Sequence, residues 1–390
     1  MVPTLQTYET ATCRYFVANQ CQSCTLLGTA SGSRLETKIA HLVSTLERRN
    51  ITPQGIQPPI ILEHPWGSRH KVKLSVSGSA QSPIIGITRR DQSTQDLVEC
   101  PLSAAPIQTL LQHLARFISE HSLTPYDIER RTGELKYIIV TLTTAHDQGI
   151  MRFVLRNHDL IPRIRAAIPE LLSAFPWISA VSCNIQPRHA AILEGPEEVL
   201  LSEQSLIREY FGVVPLYFAP QSFMQVTPEI ARILYARAAE VVKRVSPKLL
   251  VDLYCGVGGF ALSAAPFCEE VYGVELSQQA IFCAERSAQE LGYTHASFSA
   301  TEVDHFVQTM TKLIPDMLIV NPPRRGLSEA VCEYIRRTKP QQMLYSSCNV
   351  ETFADDVAAL SPDYTLVELT PFDMFPMTKH WEVLGVLGST

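Results

Sequence analysis

From Phe223 onward the chain alternates amphipathic helices with short apolar runs, and this alternation constrains the fold more than any other feature. TPEIARILYARAAEVVKRV reads as a helix, LLVDLYCG and EVYGVEL as strands, and SQQAIFCAERSAQELG as a helix. DMLIVNPP then reads as a strand, LSEAVCEYIRRTKP as a helix and QMLYSSCN as a strand. Strands that are apolar throughout are buried on both faces, and helices between them supply the cover. The pattern predicts an α/β fold with a parallel, doubly wound sheet. Ligands of such sheets sit beyond the carboxyl ends of the strands.

Upstream the pattern differs. A cysteine-bearing, loop-like stretch runs to about residue 30, followed by a helix with Leu35, Ile39, Leu42, Val43 and Leu46 at helical spacing. The proline-rich run ITPQGIQPPIILEHPWG ends it. KVKLSVSG, with Val72, Leu74 and Val76 on one face, and PIIGITRR read as strands on either side of a Ser/Gly turn. The helix PIQTLLQHLARFISEHSL and the strands KYIIVTLTT, MRFVLRN and AVSCNIQP complete an α+β middle region. The chain of 390 residues thus divides into a segment 1–30, a middle domain 31–215 and a C-terminal domain 216–390.

No apolar stretch approaches the roughly 18 to 20 residues of a bilayer span, and MVPTLQTYETATCRYF lacks a secretory layout. A cytoplasmic protein with no membrane partner is expected. The net charge of −6 hides an asymmetry: residues 1–215 hold 20 Lys and Arg against 19 Asp and Glu, the remainder 13 against 20. Within residues 34–90 nine basic side chains face three acidic ones, which is either an RNA footprint or a solvated helix with strand edges. Ten cysteines in such a chain point to metal or catalytic thiols rather than disulfides. Cys13, Cys21, Cys24 and the distant Cys100 make four thiolates, enough for one zinc ion or one [4Fe–4S] cluster. Spacing leaves both open, together with unrelated buried thiols. Cys183, Cys255, Cys268, Cys283 and Cys332 sit in apolar patterns and read as core.

The unusual polar residues fall at the strand ends. After the first strand comes Asp252-Leu253-Tyr254-Cys255-Gly256-Val257-Gly258-Gly259-Phe260, a glycine loop opening a helix that lets a cofactor approach the backbone. Glu275, nineteen residues past Gly256, ends the next strand, where a carboxylate accepts hydrogen bonds from ribose hydroxyls. That pair fits NAD or S-adenosylmethionine. Asn321-Pro322-Pro323 favours the methyl donor, because a polar residue followed by two prolines is a rigid exit that holds an amide against a planar substrate. Cys348 lies at the polar exit of its strand, beside the Pro-Pro loop, and reads as a nucleophile rather than core filling.

NPPRRG, LYSSCNVET and FPMTKHWE, in this order and spacing, resemble the three signature segments of the RNA uracil-C5 methyltransferase family. SRHKVKLSVSGS, DLVECPL, RRTGELKYIIVTLT and VSCNIQP extend the resemblance over nearly the whole chain. It implies a Rossmann-like class I domain that binds S-adenosylmethionine through Gln225, Tyr254, Glu275 and Asn321, with Cys348 as nucleophile and Glu382 as general base. Tyr254 stands where Phe is frequent in the family and Asn321 where Asp is frequent. Members with this cysteine pattern look like [4Fe–4S] proteins, so the resemblance assigns Cys13, Cys21, Cys24 and Cys100 to a structural cluster. The chain starts twelve residues before Cys13, like members without the β-barrel module called TRAM.

Together these features resemble the members that make 5-methyluridine in 23S ribosomal RNA, of the position-747 type, on a loop uridine that is single-stranded or flipped out. A monomer is expected. A transfer RNA uracil-C5 methyltransferase, a cytosine-C5 methyltransferase and a non-catalytic RNA-binding assembly factor are the competing readings. The first shares every catalytic residue; the last has no need for intact Gln225, Glu275, Cys348 and Glu382.

Overall fold

The computed structural model describes residues 13–390 except Ala191 and Thr311, so the first twelve residues of the 1–30 segment lie outside the described residues. In chain order the strands are β1 Gly55–Ile56, β2 Lys71–Ser79, β3 Ser82–Thr88, β4 Thr94–Asp96, β5 Leu135–Leu142, β6 Gly149–Leu155, β7 Ile178–Ile185 and β8 Glu197–Leu200. They continue with β9 Ile207–Phe211, β10 Val214–Phe218, β11 Leu249–Leu253, β12 Glu270–Glu275, β13 Ala296–Ala300, β14 Met317–Val320, β15 Gln342–Ser347, β16 Tyr364–Phe372 and β17 Glu382–Ser389.

The C-terminal sheet has the order β1-β16-β17-β15-β14-β11-β12-β13. Strands β11 to β15 pair in parallel, as the alternation predicts. Its strands alternate between two cores: Leu250, Ile319 and Leu344 pack on one face, Val251, Leu318 and Met343 on the other. The departure from an all-parallel sheet is β17, antiparallel to both β15 and β16. The reason is chain length, since the link 373–381 is shorter than the dozen or so residues a parallel crossover needs. That insertion brings Glu382, the first residue of β17, to the end of β15 where Cys348 emerges.

The helix Ser31–Glu47 and β1 also join this body. Leu42, Leu46 and Ile51 belong to the core that holds Val251 and Met343, and β1 pairs with β16. The middle sheet, β4-β3-β2-β5-β6-β7-β8, carries the helices Ala105–Glu120 and Ile161–Ala174 on its apolar face. Period-two alternation puts Val72, Ile138, Phe153 and Cys183 into that core, and Lys71, Arg152, Ser182 and Asn184 opposite. Ile150 and Ala180 on the second face pack into the same core as the β9–β10 hairpin and the helix Pro228–Val245. The two sheets therefore meet through a shared core, and residue 215 falls inside β10.

The nine basic residues of 34–90 do not form one face. Lys38 and Lys71 are buried, Arg48 and Arg49 pair with Glu351, and Lys73 pairs with Glu194. Among the described residues no helix is long and apolar enough to cross a membrane.

Candidate active site

The site forms where the strands of the C-terminal sheet end. At the tip of β11 the chain turns through Tyr254 (φ +63°), Gly256 (φ +55°) and Gly258 (φ +85°), left-handed conformations that cost a side-chain-bearing residue. Gly259 opens the next helix, and a Cβ there would stand 2.5 Å from Cζ of Tyr235. Glu275 at the end of β12 lies over this turn: one carboxylate oxygen accepts from Gly256 N at 3.3 Å, the other from Ser277 N at 2.9 Å. Beneath it Asp252 accepts from Ala261 N at 3.0 Å, while its Oδ1 is buried and has no partner. Burial pushes the Asp252 carboxyl up to about 8, because the charged form has lost its water. A cradled turn, a carboxylate over it and an orphaned buried oxygen below suit a ligand with hydroxyl and amino groups.

Asn321 follows β14 directly, its N–H reaching Leu253 O at 3.4 Å, so β11 and β14 exit together. The loop beyond it is pinned from two sides. Leu327 N donates to Asp356 Oδ2 at 2.9 Å, and Asn349 Nδ2 and Thr352 Oγ1 donate to the carbonyl of Arg324 at 3.0 and 3.3 Å. Asn349 also caps the helix Val350–Leu360, its side chain accepting from Glu351 N. Tyr254 is half-buried, and its phenol, pushed up to about 12 by burial, meets the hydroxyl of Ser328 and the charges of Asp304 and Arg325. Gln225 is buried in the loop before the helix Pro228–Val245, and Thr227 of that loop donates to Met374 O at 3.1 Å.

Cys348 and Glu382 come together. The β15–β17 ladder pairs Ser346 with Leu384 and Ser347 with Val383, and the next residues along are Cys348 and Glu382. Glu382 is fully buried; loss of water raises its carboxyl to about 7, partly opposed by the Ser346 hydroxyl, which donates to Oε1 at 2.6 Å. Burial and the nearby Glu382 charge raise the Cys348 thiol, while a hydrogen bond from Arg324 and its charge favour the thiolate. Arg324 is thus the cation that favours the thiolate form of Cys348. The arrangement sets a thiol beside a buried carboxyl raised to about 7, the two at adjoining strand ends.

The four N-terminal cysteines gather elsewhere. Cys13, Cys21, Cys24 and Cys100 all line one cavity of about 290 Å³, together with Arg69 and the segment Met374–Thr378. Burial raises the thiols of Cys24 and Cys100, and the other cysteines of the set add to the rise. Among the described residues no three His, Cys, Asp or Glu side chains converge on a single ion. Cys183, Cys255, Cys283 and Cys332 are buried, in keeping with a core role, while Cys268 is half-buried.

The profile of the tRNA (Uracil-5-)-methyltransferase family matches residues 213–389. The 23S rRNA (uracil(747)-C(5))-methyltransferase RlmC of Serratia proteamaculans is 42% identical over 376 residues, covering 96% of this chain and 99% of its own. Its counterpart in Xenorhabdus nematophila is 39% identical over 375 residues, with the same coverage. The chain belongs to the RNA uracil-C5 methyltransferase family. Among solved structures, the Pyrococcus abyssi tRNA (uracil-54, C5)-methyltransferase in complex with S-adenosyl-L-homocysteine has a TM-score of 0.77 at 25% identity, covering 93% of this chain and 85% of that one. The class I fold expected for an RNA uracil-C5 methyltransferase is thus present.

Three residues that bear on the candidate site gain their role only from the structure. Ser346 precedes the cysteine in a serine pair whose orientation depends on strand register, and Asp252, first in the glycine-loop motif, shows its burial only in the folded strand. Lys38 occupies a helix position that reads as solvated, yet its partner Asp373 is 335 residues away.

Proposed function

We propose that this chain transfers the methyl group of S-adenosylmethionine to C5 of a uridine in 23S ribosomal RNA, the position-747 type of target carried in the names of its relatives. The observation that carries the reading is the pair Cys348 and Glu382 at adjoining strand ends, with a buried base near 7 and Arg324 beside the thiol. When bound, S-adenosylmethionine supplies an electrophilic sulfonium methyl. Glu275 would hold its ribose hydroxyls and the turn 254–259 its backbone-facing side, with Gln225, Tyr254 and Asn321 around it.

The uracil C5 is too weak a nucleophile to act unaided. The Cys348 thiolate adds to C6, and the C5–C6 π electrons move into an enolate whose density lies at C5. C5 then takes the methyl and the sulfonium sulfur leaves with the bonding pair. Glu382 accepts the remaining C5 proton, the C5–C6 double bond re-forms and the C6–S bond breaks, returning Cys348 as thiolate. Burial serves this last step, because a carboxylate raised toward neutrality is a stronger base than a solvated one. The target base reaches the thiol only when unstacked.

Four thiolates around one cavity suit a [4Fe–4S] cluster, whose irons take one cysteine each, better than a single ion, which needs its ligands to converge. Cys13, Cys21, Cys24 and Cys100 would hold it, tying the N-terminal segment to the middle domain and to residues 374–378. Methyl transfer needs no electron, so its role is structural. Iron and acid-labile sulfide in protein purified without air test this, with visible absorbance expected to bleach in Cys21→Ser; a colourless zinc protein refutes it.

The deciding experiment is transfer from labelled S-adenosylmethionine to unmodified 23S ribosomal RNA and, separately, to unmodified transfer RNA, with the product nucleoside mapped by mass spectrometry. Methyluridine at one loop site of 23S RNA is expected. Labelled transfer RNA overturns the target, methylcytidine overturns the base, and no transfer to either overturns the activity.

A further inference from the structure

The helix Ser31–Glu47 carries one fully buried charge, Lys38, and it faces the link that leads into Glu382. Its ammonium donates to Asp373 Oδ1 at 2.6 Å, to Phe375 O at 3.1 Å and to His380 O at 2.7 Å, using all three of its hydrogens. It also sits 4.5 Å from the centroid of the Trp381 ring. Trp381 in turn donates its indole N–H to the carbonyl of Lys38 at 3.0 Å. One residue of a distant helix therefore grips both ends and the middle of 373–381, and the residue after Trp381 is Glu382. Arg34, one turn earlier, donates to Met377 Sδ at 3.2 Å within the same segment.

A buried ammonium is costly unless every donor is used, and Lys38 spends all three on the one segment that leads into Glu382. Catalysis gives the arrangement a purpose. A base must keep its position relative to C5 to within a fraction of an ångström, and Glu382 stands on the first rung of β17, opposite Phe372, so that the 373–381 link alone holds it from the side away from the ladder. Building on the proposed methyl transfer, we propose that Lys38 is a positioning residue for Glu382: it fixes the 373–381 link so that the carboxylate stays aimed at the methylated carbon. The helix packed on the catalytic sheet thereby acts on proton removal rather than on cofactor binding or on thiolate attack.

The test uses full-length wild type, Lys38→Met, Lys38→Arg and Asp373→Asn, with unmodified 23S RNA whose uridines carry hydrogen or deuterium at C5. Lys38→Met is expected to lower kcat at least tenfold with S-adenosylmethionine affinity within twofold of wild type. A primary isotope effect should appear on turnover, and a protein–RNA adduct should persist on denaturing gels. Lys38→Arg, which keeps the charge, should recover part of kcat and lose most of the adduct. Should Lys38→Met fail to fold, Asp373→Asn, which keeps an acceptor and removes the counter-charge, must show the same isotope effect. A folded Lys38→Met or Asp373→Asn with the wild-type isotope effect and no adduct overturns the positioning role while leaving the methyltransferase reading standing. A wild type that labels no RNA overturns both.

Discussion

Two serine hydroxyls in this protein each donate to a glutamate at 2.6 Å, one in each sheet, and the surroundings make the two carboxylates do different things. In the middle sheet Ser182 serves Glu198, whose oxygens also meet Arg152 Nε at 2.9 Å, Arg152 Nη2 at 2.6 Å and Asn184 Nδ2 at 2.8 Å. Arg152 Nη1 donates at 2.7 Å to Glu194, which Lys73 also bonds. Every charge has its opposite, so the network holds β6, β7 and β8 together. In the C-terminal sheet Ser346 serves Glu382, which gains one hydroxyl and burial but, among the described residues, no cationic partner. A carboxylate left so short of compensation costs stability and gains proton affinity. The contrast supports the proposed site: paired charge inside the fold serves as scaffold, and the unpaired buried carboxyl stands at the strand ends where the chemistry is proposed.

Cys348→Ala should break activity most completely. Transfer is expected to vanish, by about a thousandfold or more, because no other group makes the C6 bond. Binding of S-adenosylmethionine, measured by calorimetry, should stay within a few-fold. Loss of cofactor affinity instead assigns Cys348 to the scaffold and erases the contrast.

Arg152→Met is the converse. It strands the largely buried Glu198 and leaves Glu194 with Lys73 alone, and removing one partner of such a network costs about 3–5 kcal/mol of stability. The chemical step on folded protein at low temperature should be unchanged, read as single-turnover methyl transfer alongside urea denaturation. A variant that melts normally shows that the network holds nothing.

Glu382→Gln should uncouple the two quantities. The covalent adduct should accumulate, since no base removes the C5 proton, and the protein should become more stable above neutral pH. The sign follows from linkage: the folded carboxyl, at about 7, binds protons that the unfolded one, at 4.5, has released. Wild-type stability therefore falls as pH rises through that window, and the neutral amide does not share the fall. The difference should grow to about 3 kcal/mol, the free energy corresponding to that displacement. Equal melting curves at pH 8 would refute the burial argument.

The same contrast explains what was legible. β11, β12, β14 and β15 announce themselves because strands buried on both faces are apolar throughout, and their motif residues lie where a doubly wound sheet puts ligands. β17 did not, since its place between β15 and β16 depends on the shortness of the 373–381 link and not on its own pattern. β13, ASFSA, is a half-exposed edge with little apolar signal. The basic run 34–90 leaves two readings open because sequence shows charge without partners: Lys38 is buried against Asp373, which neither an RNA footprint nor a solvated face foresees. Cys348 and Glu382 could be named from their motifs, but the proton affinity of Glu382 arises from burial, a property of the folded sheet.

The smallest expected effect is the sharpest test of the contrast, since it alters the two serines alone. A hydroxyl donated to a carboxylate favours the charged form, so Ser346→Ala removes a brake on protonation and should raise the Glu382 pKa above its present value near 7. The base is then protonated over a wider pH range, and the acidic limb of the kcat profile should move to higher pH. A hydrogen bond to a charged group is worth about 1.5–3 kcal/mol, so the move should be about one to two pH units. Ser182→Ala removes a bond of the same length to Glu198, but Arg152 remains, and Glu198 belongs to the middle sheet; its profile should coincide with wild type while its stability drops by about 1 kcal/mol. If both variants shift the limb, or neither does, the unpaired carboxylate is not what sets the pH dependence. If Ser346→Ala alone shifts it, the proton taken from C5 is received by the one glutamate of the pair that has no cation to hold its charge.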